Sequence, residues 1–357
     1  MQLLENLYEK PPKNSSYSGR KVQISAKKTL LIGPRKCGKT SLILDHLSTY
    51  EEEEYLYIDR ADARVNDTTL NEQLLSFLKT HPIRLLVVEN YDESFKIPDI
   101  SEVILSSDER TLKVEGFSTL HVNPLDFEEY IAFDKRHFNI NHLFNLYANH
   151  GRLPGCAMME EHENRKYLQE CLRLALHDPL SFDIFQFYAI HQSQLLSLHQ
   201  VYQGLKSQVK ISKDKLYKVS ETLQNKGLLH LVSKLDAPKA AKKVFLSDFA
   251  FKNALTYDKD FQKRFSNIVF CELIKLNTPI YYIDTIELYL PEKEMAVLCI
   301  PFLPPELIAR RFSKLLSQLH SLHVKSVQVI TVGNEGFSEK EGITCEILPF
   351  WEWALQL

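Results

Sequence analysis

Short apolar runs alternate with helix-spaced apolar positions over the first 125 residues of the chain. The runs predict buried strands, and they lie at residues 29–32, 55–58, 85–88 and 103–105. Between the second and third runs, one face of a predicted helix carries Leu70, Leu74, Leu75 and Leu78. Strands that alternate with helices predict an α/β fold with a parallel sheet and helices on both faces. Ligands of such sheets bind at the carboxyl ends of the strands.

Residues 126–180 show helical patterns and no further strand. Pro124 stops the preceding apolar run, and Asp126 can begin a helix. Helical spacing is also seen at Leu143, Leu146 and Tyr147. We expect this segment to form a small helical lid that follows the first domain.

Residues 181–254 predict three helices and a two-stranded wing. The apolar positions of the helices are Phe185, Phe187, Tyr188 and Ile190, then Leu198, Val201 and Leu205, then Leu216, Val219 and Leu223. Ser212 can cap the third helix. The wing strands are predicted at residues 228–232 and 244–246. A helix-turn-helix followed by a wing is the pattern of a winged-helix domain.

Residues 255–357 return to a mixed α/β pattern. A helix is predicted at residues 265–274, and strands are predicted at 280–283, 286–290, 296–300, 326–331 and 342–347. A second helix has apolar positions at Ile308, Phe312, Leu315, Leu319 and Leu322. The predicted domains are therefore residues 1–125, 126–180, 181–254 and 255–357.

Composition is that of an ordinary globular protein, with 44% hydrophobic and 25% charged residues. The six cysteines are scattered without a C-x-x-C pair, which favours reduced thiols over a structural zinc site. No signal-peptide pattern and no apolar run of membrane-spanning length is visible. We therefore expect a cytoplasmic protein without a membrane partner.

The segment after the first predicted strand fits the Walker A pattern G-x-x-x-x-G-K-[ST] at every fixed position. Its strand, loop and helix context is that of a P-loop, in which backbone N–H groups and a helix N-terminus converge on phosphates. Lys39 would reach the β- and γ-phosphates, and Thr40 would bind Mg²⁺. The predicted ATP-binding residues are Gly33, Pro34, Arg35, Lys36, Cys37, Gly38, Lys39, Thr40 and Ser41.

Two further strands end in polar residues that can complete this site. Glu89 follows the run at 85–88, and an acid in this position holds Mg²⁺ through water in P-loop ATPases. Ser106 follows the run at 103–105, where it could touch the γ-phosphate or the attacking water, or could belong to a plain core strand. The candidate catalytic residues are Lys39, Glu89 and Ser106, and the candidate Mg²⁺ ligands are Thr40 and Glu89.

These motifs, in this order, resemble a prokaryotic AAA-type ATPase family that is similar to archaeal ATPases of the STAND group. The resemblance also rests on two later segments, Pro124-Leu125-Asp126-Phe127-Glu128-Glu129-Tyr130 and Tyr147 with Gly151-Arg152-Leu153-Pro154. It implies ATP and Mg²⁺ as ligands, a winged helix, and a C-terminal domain similar to restriction endonucleases.

The chain departs from this family at the residues that support hydrolysis. The usual Asp-Glu pair reads Glu89-Asn90, and an asparagine cannot accept a proton from water. Asp92 and Glu93 follow closely and could substitute, although their spacing differs. A Gly-Arg pair of the family reads Gly116-Phe117, which removes a cation from the γ-phosphate side. We expect ATP binding with weak or slow hydrolysis.

A block of positive charge coincides with the predicted winged helix. Residues 206–243 hold ten lysines and three acidic residues, a net charge of +7, which leaves −10 for the rest of a chain with a total of −3. Such a patch can contact the phosphates of double-stranded DNA, with a strong dependence on salt. The candidate DNA-binding residues are Lys210, Lys213, Lys215, Lys218, Lys242 and Lys243. The segment contains no arginine, which is the better reader of guanine, so sequence specificity is not expected.

The functional interpretation from these features is an ATP-binding protein that couples its nucleotide state to DNA contact. The alternative is an ATP-dependent scaffold or signalling switch that binds protein partners, or copies of itself, without DNA.

The nuclease-like domain lacks part of the expected metal site. Glu272 matches the helix acid of that fold, and Glu287 lies near the first strand acid. The second strand acid falls at Leu288 or Tyr289, and the lysine falls at Cys299, Ile300 or Pro301. Because a metal-dependent nuclease needs those charges, we expect a structural or partner-docking domain.

Overall fold

A computed structural model describes residues 2–12 and 19–357 of the chain. Two compact units are distinguished by their contacts. The first contains the described residues up to Pro124 together with Asn225–Gly227, and the second contains Leu125–Gln224 and Leu228–Leu357. The finer division of the second unit at residues 180 and 254 stays a prediction.

The first unit is built on a five-stranded parallel sheet with the strand order β2-β3-β4-β1-β5. Its elements are α1 (Gln2–Glu9), β1 (Lys28–Ile32), α2 (Lys39–Leu47), β2 (Tyr55–Asp59), α3 (Asp67–Thr80), β3 (Leu85–Glu89), β4 (Glu102–Ser107) and β5 (Ser118–His121). The predicted α/β fold with a parallel sheet is confirmed for this unit. The strands extend beyond the apolar runs because polar end residues stay in register, as Asp59 does opposite Glu89.

Both faces of this sheet are covered, as the continuous apolar runs predict. On one face, Leu30 and Ile32 of β1 belong to a core that includes α3. On the other face, Leu31 belongs to a core that includes α2. Every residue of β1 after Lys28 is buried, so the loop that follows β1 begins from a fixed point in the sheet.

The second unit begins with helices. The first of these are α4 (Phe127–Phe133), α5 (Ile140–His150), α6 (Pro154–Met158) and α7 (Glu161–Ala175). Next come α8 (Pro179–Ile190), β6 (Leu195–Leu196), α9 (Leu198–Lys206), α10 (Lys213–Asn225), β7 (Leu229–Val232), β8 (Lys242–Leu246) and α11 (Phe251–Leu255). The sheet at this point has three antiparallel strands, in the order β6-β8-β7, instead of the two that were predicted. The two-residue strand β6 is too short to give an alternating pattern.

The unit ends in a second mixed sheet. Its elements are α12 (Phe261–Leu273), β9 (Leu288–Leu290), β10 (Met295–Cys299), α13 (Pro305–Ser321), β11 (Ser326–Thr331), β12 (Gly336–Lys340), β13 (Ile343–Pro349) and α14 (Phe350–Gln356). The strand order is β12-β13-β11-β10-β9, with parallel pairs in the middle and antiparallel pairs at the edges. The strand predicted at 280–283 is reduced to isolated bridges at Tyr281 and Tyr282. Strand β12 was missed because its mostly exposed residues lack an apolar alternation.

No helix among residues 2–12 and 19–357 combines the length and the apolar character needed to cross a membrane.

Candidate nucleotide-binding site

The loop between β1 and α2 requires glycine at both fixed positions of its motif. A Cβ atom on Gly33 would lie 2.1 Å from the carbonyl oxygen of Val122, and such a contact is sterically impossible. Gly38 caps α2 with a φ of 101°, a backbone conformation that favours glycine. The loop therefore closes tightly on the strand end, and its backbone leads directly into the N-terminus of α2.

Lys39 lies across this loop, held by the loop's own backbone. Its Nζ donates to the carbonyl oxygens of Gly33, at 2.7 Å, and Pro34, at 3.0 Å. A single ammonium thus has two partners within the segment that would hold phosphates. The role of Lys39 in binding phosphates stays a prediction.

Thr40 and Glu89 meet at the carboxyl end of the sheet. The Thr40 hydroxyl lies 2.9 Å from both carboxylate oxygens of Glu89. Hydroxyl and carboxylate oxygens are the hard ligands that Mg²⁺ prefers, and Mg²⁺ is usually held by one or two carboxylates together with substrate phosphates. The structure therefore brings together the two residues predicted to bind the metal. Among the described residues there is no cluster of three or more acidic, histidine or cysteine side chains that could hold a metal alone.

Glu89 is buried and accepts hydrogen bonds from two further hydroxyls. Tyr57 donates to Oε2 at 2.6 Å, and Ser106 donates to Oε1 at 3.3 Å. Burial, followed by the charge of Glu89, raises the pKa of Tyr57 above its ordinary value, so the phenol remains a donor. Ser106 is also buried. Its contact with a γ-phosphate stays a prediction.

Tyr57 was missed by the sequence analysis. It sits in the middle of β2, opposite Val87 of β3 and two residues from Glu89 in the register of the two strands. Only that register could have shown that the phenol reaches the carboxylate, and a single sequence does not specify the register of parallel strands.

The residues after Glu89 have protein partners of their own. Asn90 has a φ of 56° and donates from Nδ2 to Asp59 at 2.6 Å. The Asp92 carboxylate lies 3.1 Å from Arg60 and accepts from the Ser94 backbone N–H at 2.8 Å. Burial raises the pKa of Asp92, but these two partners outweigh it and lower the pKa overall. Neither residue is placed as a free general base.

The remaining loop residues divide into buried and exposed groups. Cys37 is fully buried, and Lys36 and Ser41 are exposed. Arg35 forms an ion pair with Asp108, with Nε and Oδ2 3.1 Å apart. Arg20, which the sequence did not single out, donates to the Cys37 carbonyl at 2.8 Å and thus supports the loop from outside the motif.

The second unit carries several exposed lysines on and before α10, and two acids of that helix, Asp214 and Glu221, are exposed as well. Lys213, Lys215 and Lys218 of α10 are exposed, as is Lys210 in the preceding loop. Tyr217 is 55% exposed on the same helix. Ser212 accepts from the Lys215 backbone N–H at 3.2 Å, so it caps α10 as predicted.

Two of the six candidate DNA-binding lysines are engaged elsewhere. Lys243 Nζ lies 2.8 Å from Glu287, and its side chain is only 12% exposed, which is at odds with the predicted DNA contact. Lys242 is half-buried and donates to Ser233 and to the Pro238 carbonyl. Both lysines belong to β8, which pairs with β6 and β7.

The acids of the predicted nuclease-like site have structural partners. Glu272 is fully buried, and its Oε1 accepts from the Phe127 backbone N–H at 3.1 Å and from the Tyr147 hydroxyl at 2.8 Å. Glu287 accepts from Ser266 at 2.6 Å as well as from Lys243. Each carboxylate thus stabilises its own part of the unit.

Comparisons with known proteins find distant similarities. No protein-family model matches the chain. An uncharacterised protein of Methanocaldococcus jannaschii is 21% identical over 394 residues, covering 91% of this chain and 88% of the relative. A Walker-type ATPase of Pyrococcus abyssi is 16% identical, with a TM-score of 0.44, over 64% of this chain and 91% of that structure. A STAND protein of Pyrococcus horikoshii with a tetratricopeptide repeat sensor is 14% identical, with a TM-score of 0.31. The match covers 88% of this chain and 51% of that structure.

Proposed function

We propose that the chain binds ATP with Mg²⁺ through residues 33–41 and Glu89. The observation that carries this proposal is the pair formed by Thr40 and Glu89 beside a loop whose Lys39 donates to the backbone carbonyls of Gly33 and Pro34. An ammonium, a hydroxyl and a carboxylate are held next to one another at a helix N-terminus. These are the groups that a nucleotide and its metal would engage.

Each group has a defined part in this proposal. The loop N–H groups and Lys39 would bind the phosphates, while Thr40 and Glu89 would hold Mg²⁺. The metal, when bound, neutralises part of the phosphate charge. The tight closure at Gly33 fits a backbone that must approach a phosphate closely, because a side chain there would push the loop off the strand end.

Hydrolysis is proposed to be slow. An amide such as Asn90 cannot accept a proton from water, and here it donates to Asp59, while Asp92 is held in an ion pair by Arg60. Glu93 is the remaining candidate base, and its spacing differs from that of the family. We expect turnover far below the typical enzyme value of about 10 per second. A purified protein that reaches that rate would contradict this part of the proposal.

Calorimetric titration with ATP and Mg²⁺ tests the binding. Lys39→Ala should abolish it, because the substitution removes the main phosphate cation. Lys27→Ala removes an exposed lysine just before β1 and should leave the affinity unchanged. Equal ATP affinity in the parent protein and in Lys39→Ala would overturn the proposal.

A second proposed function is salt-dependent contact of residues 181–254 with double-stranded DNA. The supporting observation is the set of exposed lysines on α10, Lys213, Lys215 and Lys218, where Tyr217 and two acids, Asp214 and Glu221, are also exposed. The order helix, strand, two helices and two strands, with an antiparallel three-stranded sheet, is consistent with a winged helix. Lysines supply charge without base reading, so unspecific duplex is the proposed partner.

ATP and DNA binding are further proposed to be coupled. The last residue of α10, Asn225, is grouped with the first unit together with the next two residues, and the chain returns to the second unit at Leu228. Coupling is reciprocal, so DNA affinity should differ between the protein with Mg²⁺ and ATP and the protein without nucleotide.

Gel shifts at several salt concentrations test the DNA proposal. Reversal of Lys213, Lys215 and Lys218 to Glu should abolish the shift or lower its salt slope by about one for each lost phosphate contact. The matched control is a variant in which three exposed lysines elsewhere in the second unit are changed to Glu. These lysines are Lys135, Lys166 and Lys314. If both variants bind duplex equally, a protein-binding switch becomes the better interpretation.

A further inference from the structure

A polar cleft of about 200 Å³ opens among the helices of the second unit. It lies where the ends of α5 and α11 meet the first half of α7 and the start of α12. The residues that line it are Asn149, His150, Asn164, Arg165, Leu168, Asn253, Ala254, Thr256, Tyr257, Lys259 and Arg264. The set contains three cations and no aspartate or glutamate. The cleft is separate from the phosphate-binding loop, which belongs to the first unit.

Arg264 is the partly buried cation of this cleft. Its Nε is inaccessible to solvent and has no hydrogen-bond partner among the residues that the structure describes. The guanidinium lies 5.4 Å from the centre of the Phe261 ring. Burial lowers the pKa of Arg264, because a buried cation without a counter-charge is unfavourable. Among the residues that the structure describes, this side chain forms no ion pair.

The acids nearest in sequence are already used. Asp258 pairs with the buried Lys252 at 2.9 Å, and Asp260 pairs with Lys263 at 2.9 Å. Arg165 and Lys259 are exposed at the cleft, and the Arg165 guanidinium lies 6.0 Å from the centre of the Tyr257 ring. The excess positive charge of the cleft is thus not balanced by these carboxylates.

We propose that this cleft binds a small molecule that carries a phosphate group. Guanidinium groups match the oxygens of phosphate, and three cations suit a dianion better than a single carboxylate. Asn149, Asn253 and Thr256 offer neutral hydrogen-bonding groups for the rest of the molecule. The volume is below the range of about 300–1,000 Å³ for drug-sized ligands, which favours a compact metabolite.

Calorimetric titration of the full chain with inorganic phosphate tests this proposal. The parent protein carries Lys39→Ala, so that the loop at residues 33–41 does not contribute. We expect saturable binding that Arg264→Gln weakens about tenfold or more, the scale of a lost charge-assisted hydrogen bond. Lys166→Gln neutralises an exposed lysine of α7 outside the cleft and should leave the affinity unchanged.

Substitutions of the two exposed cations of the cleft keep the test decisive if Arg264→Gln does not fold. Arg165→Gln and Lys259→Gln should each weaken phosphate binding in a folded protein. The proposal is overturned if phosphate does not bind saturably, or if the cleft variants bind it as tightly as the Lys166→Gln control. Acetate and succinate distinguish the anion class, and tighter binding of either one than of phosphate would also overturn the proposal.

Discussion

The Thr40 hydroxyl bridges both carboxylate oxygens of Glu89 at 2.9 Å, although the two residues are 49 positions apart in the sequence. The first residues of α2 and the last residue of β3 thereby share one oxygen-rich corner at the end of the parallel sheet. Tyr57 of β2 also contacts this corner, since its hydroxyl donates to Oε2 of Glu89 at 2.6 Å. The corner is thus defined by three elements, and a substitution in any of them should be measurable.

Thr40→Val should remove the effect of Mg²⁺ on ATP binding. Valine keeps the shape of the side chain and loses the hydroxyl that would bind the metal. We expect ATP affinity in Mg²⁺ to fall about tenfold, towards the value measured with a chelator, which corresponds to the loss of one charged interaction. Calorimetric titrations with and without Mg²⁺ measure this difference. Thr49→Val, at an exposed threonine after α2, is the matched control. An unchanged Mg²⁺ effect in Thr40→Val would remove Thr40 from the metal site.

Tyr57→Phe should destabilise the first unit. The substitution removes a buried hydroxyl and leaves the Glu89 carboxylate with one donor fewer. The expected loss is about 1–3 kcal/mol in the free energy of unfolding, measured with denaturant. In a double-mutant cycle with Glu89→Gln, the two losses should be clearly non-additive, because they act on one interaction. Additive losses would show that the phenol stabilises the protein by other means.

Gly33→Ala should also be strongly destabilising. The added Cβ meets the backbone oxygen of Val122 at 2.1 Å, and neither backbone can move without disturbing β1 or the segment after β5. We expect a loss of at least about 1–3 kcal/mol, as for overpacked cores, in a denaturant titration. Gly19→Ala is the control, since a Cβ there meets nothing within 4 Å. A thermal melt in which the two variants behave alike would contradict the steric argument.

Local sequence was enough to predict which residues meet at the carboxyl end of the first sheet. The motif that contains Gly33, Lys39 and Thr40 is contiguous, and Glu89 is marked by the buried strand that precedes it. Apolar runs also predicted β1, β2, β3 and β4, because a parallel strand that is buried on both faces is continuously apolar. The fifth strand, β5, is mostly exposed and has no such run.

Side chains that depend on distant partners could not be predicted. Lys243 looks like a surface cation in a basic block, but Glu287 lies 44 positions away and neutralises it. Glu272 looks like a metal ligand, but it is the buried acceptor of a hydroxyl 125 positions away, that of Tyr147. The charge of a residue can be read from sequence, whereas its partner depends on tertiary packing.

The contributions of Glu272 and Glu287 to the stability of the second unit should change with pH in opposite directions. Burial raises the pKa of Glu272 above its ordinary value of 4.5, with Lys275 acting against the shift. For Glu287, burial acts upward, but Lys243 and Ser266 outweigh it and lower the pKa. Folding therefore takes up a proton at Glu272 above pH 4.5 and releases one at Glu287 below it.

The directions of these two pKa shifts predict how the free energy of unfolding of each Glu→Gln variant depends on pH. Glu272→Gln cannot titrate, and its Oε1 can still accept from Phe127 and Tyr147. Relative to the parent, its free energy of unfolding should therefore improve as pH rises from 4.5 towards neutrality, by at most about 1.4 kcal/mol per pH unit. Glu287→Gln leaves Lys243 without its counter-charge, so its loss should be largest at neutral pH and shrink as pH falls below 4.5. Denaturant titrations across this range measure both trends. The same pH trend in both variants would show that at least one of these carboxylates has the opposite protonation in the folded protein.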